Sequence, residues 1–221
     1  MTGQQQMIVD AFNSQVYIDN RMDVQHTPLY DTVAFYPGTG GTPDTISENT
    51  AVWFTNVGPS APFLAVNKTL AQTNMTQSQK LPAPEAFSIY GLRLRIKENI
   101  LRQDLDNILD SFALEFYLGQ KWYQRAPLWY FAAGGGIWAA SDIPAILVAK
   151  SAAIPQAVYT NGVPDRNGMH KLVLNLVIEN QMTFYARLVG TPYTLQVAAA
   201  LFGTGAIMTL LLDGLYARGV Q

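Results

Sequence analysis

The stretch from Lys171 to Val189, KLVLNLVIENQMTFYARLV, constrains this chain more than any other, because it alternates at period two over almost its whole length. Leu172, Leu174, Leu176 and Ile178 point one way, while Val173, Asn175 and Val177 point the other. After the polar break Glu179-Asn180-Gln181 the pattern resumes, with Met182, Phe184, Ala186 and Leu188 set against Thr183, Tyr185 and Arg187. Successive side chains of a strand face opposite sides, so the pattern predicts two strands with one buried and one wetter face.

Similar segments recur. Residues 31–37 (DTVAFYP) and 50–57 (TAVWFTNV) are short strand candidates rich in β-branched and aromatic types. In 86–96, Tyr90, Leu92, Leu94 and Ile96 alternate with Gly91, Arg93 and Arg95. In 113–118, Leu114, Phe116 and Leu118 oppose Ala113, Glu115 and Tyr117, and 208–216 closes the series. The period changes once. In ENILRQDLDNILDSF, Leu101, Leu105, Ile108, Leu109 and Phe112 share a helical stripe, and Arg102 can pair with Asp106 at i, i+4. Strands do not alternate with helices, which disfavours a parallel α/β fold. The expected fold is mainly β: a single eight-stranded antiparallel jelly-roll sandwich with one or two short helices and long loops. Residues 1–30, Gln-rich and irregular, read as an N-terminal arm, and 31–221 as the jelly-roll domain. Residues 37–43 read as a loop and 66–84 as an exposed polar excursion.

Composition narrows the function. Charged residues are 14% of the 221, against roughly 25% in ordinary soluble domains, while hydrophobic residues are 49%. Amides stand in for ions, as in Gln4-Gln5-Gln6. A polar but weakly charged surface suits a protein packed against neighbours, since desolvating an amide costs less than desolvating an ion. The net charge of −2 gives no basic run for nucleic acid. Arg93, Arg95 and Lys97 would share one strand face, better read as a solvated or interface row than as a phosphate-contacting one. There is no cysteine, so disulfides and thiolate metal sites are excluded. The opening MTGQQQMIVDAF lacks the pattern of a secretory signal.

No constellation of residues announces chemistry. His26 and His170 each stand alone in a loop-like setting. Gly134-Gly135-Gly136 fits neither phosphate-binding fingerprint and reads as flexible or tightly packed backbone. Asp104, Asp106 and Asp110 lack the spacing of a calcium loop and read as a solvated helix face. Glu115 and Glu179 are a weak candidate for a glycosidase pair. Trp122, Trp129 and Trp138 read as core or interface anchors, with a sugar platform as the alternative. Leu195 to Leu212 is long and uncharged enough to raise a C-terminal membrane anchor, although Gly203-Thr204-Gly205 interrupts it. An apolar helix followed by a buried last strand is the preferred reading. No catalytic residue, cofactor or metal is expected.

IENQMTFYARLVG, the closing LLLDGLYARGVQ and ALEFYLGQKWYQRAPLWYFAAGGG together resemble the jelly-roll capsid proteins of tailless icosahedral bacteriophages whose shell surrounds a membrane. The resemblance spans about residues 86 to 221 and is one of pattern and order. The chain is too short for two comfortable rolls, so it resembles the single-roll branch. The resemblance implies a structural coat protein, assembled in the host cytoplasm into an icosahedral virion. Its implied partners are copies of itself and other capsid proteins, with an internal membrane or vesicle beneath, and without sequence-specific nucleic-acid binding. A carbohydrate-binding β-sandwich and a C-terminally anchored β-domain remain as alternatives.

Overall fold

The computed structural model describes residues 5–9, 15–19, 22–35, 44–57, 62–63, 66–97, 100–131, 138–142, 156–160, 169–195 and 206–219. In chain order the strands are β1 (Gln5–Val9), β2 (Gln15–Asp19), β3 (Met22–His26), β4 (Leu29–Phe35), β5 (Thr45–Ile46), β6 (Val52–Trp53), β7 (Pro62–Phe63), β8 (Val66–Asn67) and β9 (Ala86–Ile96). Helix α1 (Arg102–Ser111) leads into β10 (Phe112–Leu118) and β11 (Lys121–Pro127), and a 3-10 turn covers Leu128–Phe131. Then come β12 (Trp138–Asp142), β13 (Gln156–Thr160), β14 (His170–Ile178), β15 (Phe184–Gly190), β16 (Tyr193–Thr194) and β17 (Ala206–Gly219). The protein is mainly β, and every strand pairing described is antiparallel.

Two larger sheets carry the core. One runs β14-β9-β17, with β3 and β4 both lying along the far edge of β17. The other runs β11-β10-β15-β6. Their inner faces share one cluster of buried side chains, the arrangement of a β-sandwich. The indole Nε1 of Trp53 in β6 donates to the Met208 carbonyl of β17 at 3.1 Å, tying the sheets together. The sheet containing β17 takes in residues from Met22 onward, inside the segment read from sequence as an arm. β3 and β4 form one line interrupted at Thr27-Pro28, where proline has no N–H to give the ladder.

β9 and β17 pair along almost their full lengths, but their periods do not match throughout. β17 keeps one phase, burying Ala206, Met208, Leu210 and Leu212. β9 buries Phe87 and Ile89, then Leu92, Leu94 and Ile96, so its inward set changes parity. The register explains this: Asp213 faces Gly91 and Gly214 faces Ile89, which leaves Tyr90 as an extra residue. That β-bulge lets both halves of β9 present apolar side chains to the same core. Gly214 sits beside it, where an added Cβ would overlap the Ser88 carbonyl oxygen and the Phe87 ring.

The helix forms where the period changed. Leu105 and Ile108 are buried, and Arg102 Nε meets Asp106 Oδ2 at 3.4 Å, the i, i+4 pair expected. Asp104 corrects the reading of a wholly solvated acidic face. It is 3% exposed, because Tyr193 Oη donates to its Oδ1 at 2.7 Å and Asn107 Nδ2 donates to the same Tyr193 oxygen at 3.2 Å.

Two further expectations are corrected. The strand read at 50–57 shrinks to Val52–Trp53, since Phe54 turns into the left-handed region at φ +66°. Bulky residues rarely adopt that conformation. Phe54 is held there by its N–H, which donates to Asp31 Oδ2 at 2.7 Å. The 66–84 segment is exposed only in part: residues 69–71 and 76–78 face water, but Lys68, Thr73, Met75 and Leu81 are buried. Lys68 Nζ donates to Asp31 Oδ1 at 2.8 Å and to the Asn56 carbonyl at 2.6 Å, in a pair almost closed to water. The polar pattern misled because its charge is matched inside. The loop expected at 37–43 and the glycine triplet at 134–136 lie outside the described residues.

Breaking such a pair from one side leaves an uncompensated buried charge, a cost of about 3–5 kcal/mol. Lys68→Met should therefore lower the unfolding free energy by about that amount in urea titration. Asp31→Asn combined with Lys68→Met removes both charges while keeping an acceptor for the Phe54 N–H, and should recover part of it. A double variant as unstable as the single one would contradict this account.

Candidate interaction surface

β11 and β14 are each one of the two edge strands of their sheets, and they lie on the same side of the sandwich. Gln124 of β11 points inward, opposite Phe116, with its Oε1 3.3 Å from His170 Nε2 at the start of β14. The His170 ring also lies 4.8 Å from Tyr130 and 5.1 Å from Phe131, centroid to centroid. Burial pushes its imidazole below the ordinary histidine range. His170 is thus a seam residue between the two sheets.

Both edges are irregular, and both turn apolar groups to water. In β14 the pairing jumps from Lys171–Gly91 to Leu176–Ile89, so Leu172 to Asn175 stand opposite Tyr90 alone. The strand bows away from its neighbour. Leu172 and Ile178 are buried as their phase requires. Leu174, read as their companion, is 79% exposed, and Val173 is 99% exposed. The bow is why the alternation fails there. In β11 the register slips between Phe116 and Tyr117, making Tyr123 the extra residue. Trp122, Tyr123, Trp129 and Tyr130 are all about half exposed or more. Trp129 and Tyr130 meet edge to face at 6.2 Å. Irregular edges of this kind discourage strand-by-strand addition and favour contact through side chains.

Next to this edge, the outer face of the β11-β10-β15 sheet carries a row in register: Arg125, Glu115 and Arg187. Arg125 Nη2 meets Glu115 Oε1 at 2.7 Å. Glu115 Oε2 accepts from Arg187 Nε at 3.1 Å and from Tyr117 Oη at 2.7 Å. Burial alone would raise the Glu115 carboxyl, but Tyr117, Arg187 and Arg125 together outweigh it and hold the group below the usual glutamate range. The neighbouring row stacks Tyr117 on Tyr185 at 4.7 Å, nearly parallel, with the Arg187 guanidinium 5.2 Å from the Tyr117 ring.

The other residues singled out from sequence fall as follows. Glu115 is bound up by two arginines, and Glu179 is exposed after β14. His26 contacts the Tyr90 hydroxyl. Arg93 pairs with Asp213, which divides the basic row of β9. The Trp138 side chain lies outside the described residues, as do residues 196–205 of the suspected membrane segment, whose remaining part, 206–212, is strand. Among the described residues no helix is long and apolar enough to cross a membrane, and no group of three His, Asp or Glu side chains is placed to hold a metal ion. The seam at His170 escaped the sequence reading because it joins residues 46 apart, with no local signal at either. Comparison of the chain with protein-family models, curated proteins and solved structures gave no match.

The depressed Glu115 carboxyl has a pH consequence. Its contribution to stability is fully present above the unfolded value, about pH 4.3, and is lost as pH falls through the lower folded value. In chemical denaturation, the stability gap between the wild type and Glu115→Gln should be largest near neutrality and close on acidification. A gap unchanged down to pH 3 would contradict the charge clamp.

Proposed function

We propose that this chain is a structural coat protein, a single jelly roll that associates with copies of itself and with other capsid proteins into an icosahedral shell. The observation that carries this reading is the exposed aliphatic and aromatic edge formed by Val173, Leu174, Trp122, Trp129 and Tyr130. Apolar patches rimmed by polar groups mark protein contacts, and Trp and Tyr dominate such contacts energetically.

The strand order supports the jelly-roll part of the proposal. Taking the eight main strands in chain order as β4, β6, β9, β10, β11, β14, β15 and β17, one sheet runs first, eighth, third, sixth and the other second, seventh, fourth, fifth. Two interleaved Greek keys produce that order, and viral coat and lectin domains use it. Low surface charge supports the assembly part, since little is lost when such a surface is dried. On this reading the protein works in the virion, after assembly in the host cytoplasm.

Purified full-length protein, followed by light scattering and electron microscopy as concentration rises, should form rings, sheets or shells. Leu174→Glu and Trp129→Ser should keep the β-type circular dichroism of the wild type yet need about tenfold more protein to reach the same scattering, the scale of a single interface anchor. Protein that stays monomeric at every concentration, or that binds a sugar saturably at Trp122 and does not assemble, would overturn the proposal.

A further inference from the structure

We infer that β3 is an exchangeable strand: when copies associate, the place it occupies along Leu215–Gly219 is taken by residues 22–26 of a second copy. This inference rests on the reading of the chain as a self-associating subunit and specifies one of its contacts.

Four observations carry it. First, among its described side chains β3 has no buried apolar anchor. None of its described side chains is buried, and Gln25 and His26 are exposed. Second, its place is defined almost wholly by backbone register, His26 with Leu215 through Met22 with Gly219. The side-chain contacts added to it are few: Arg218 Nη2 with Asp23 Oδ2 at 3.2 Å, and His26, which meets the Tyr90 hydroxyl and stacks on its ring at 5.9 Å between centroids. Third, β17 outruns β4. The β4 pairing ends at Leu212–Leu29, so without β3 the last turn-free stretch of β17 would present an open ladder edge. Such an edge recruits a strand from any chain that offers one in register. Fourth, the break at Thr27-Pro28 separates β3 from β4, and the β1–β2 hairpin that precedes β3 forms a two-stranded sheet of its own. Among the described residues, β3 is thus joined to the sandwich only through β17 pairing and the Thr27-Pro28 connection to β4, so exchange leaves the β4–β17 ladder in place.

The energetics set where exchange happens. Own and exchanged strands make the same contacts, so only effective concentration separates them. A short linker holds the chain's own strand at an effective concentration of about millimolar. A free second copy in dilute solution cannot compete with that. A neighbour fixed alongside in an assembly can, and closed exchange between identical elements is a low-cost way to link subunits.

The chain has no cysteine, which makes the test clean. Two register pairs serve: Val24→Cys with Ala217→Cys, and separately Asp23→Cys with Arg218→Cys. Directly opposed residues of antiparallel strands are about 4.5–5.5 Å apart at Cα, within disulfide reach. Each full-length variant is oxidised in dilute solution and again at the highest concentration attained, then run on a non-reducing denaturing gel beside a scattering measurement. We expect chain-internal disulfides when dilute and covalent dimers and higher ladders when concentrated, for both pairs. Particles seen by scattering that contain only chain-internal disulfides would overturn the exchange while leaving the shell reading intact. Concentrated protein that neither scatters nor cross-links between chains would overturn both. Covalent dimers without larger particles would uphold the exchange and remove the shell.

Discussion

The pairing of β9 with β17 is the constraint from which the rest of the structure follows. These two strands occupy the middle of the larger sheet, and their inward side chains supply much of the shared core. They fit only because the bulge at Tyr90 resets the phase of β9. Without the extra residue, Phe87 and Ile89 would face outward while Leu92, Leu94 and Ile96 faced inward. A one-residue slip turns every side chain beyond it to the other side of a sheet. The same bulge reaches the next strand: Tyr90 is the point opposite which β14 leaves the ladder and bows outward. One inserted residue in the centre thus shapes the exposed edge on the far side of the sheet from β4.

Charge plays a second organising part, in a chain that has little of it. Asp31 with Lys68 and Glu115 with Arg125 and Arg187 place carboxylates where almost no water reaches. The two sites do different work. Asp31 sits within β4, where burial pushes its carboxyl up against the opposing pull of Lys68. It also fixes the backbone of Phe54, so the pair sets the path of the chain after β6. Glu115 spans three strands on an outer face and locks their register sideways.

Much of this fold was legible along the chain, for identifiable reasons. The β9 boundaries at 86 and 96 and the start of the last strand near 208 follow from long alternations with one face inside. The helical stripe and its Arg102–Asp106 pair are equally local signals. Other parts depended on distant partners. β11, KWYQRAP, shows no apolar alternation because most of it faces solvent, so nothing in its own letters marks it as a strand. Asp104 looked solvated because its partner Tyr193 lies 89 residues away. β3 looked like arm because only the edge of β17 makes it a strand. Leu174 looked buried because a bow in the ladder is a matter of pairing, which alternation does not record. The candidate surface was visible only as a surplus of tryptophan and tyrosine around 122–130, and its aliphatic half was hidden inside the strongest strand signal in the chain.

The protruding tip at Val173 and Leu174 bears on how such a protein stays dispersed. Two aliphatic side chains in open water attract one another at short range whatever the pH. Against this, a net charge of −2 over 221 residues supplies very little long-range repulsion between molecules. On the proposed reading, and near neutral pH where that repulsion is weak, the amount of chain accumulated bears more on when molecules gather than ionic strength does.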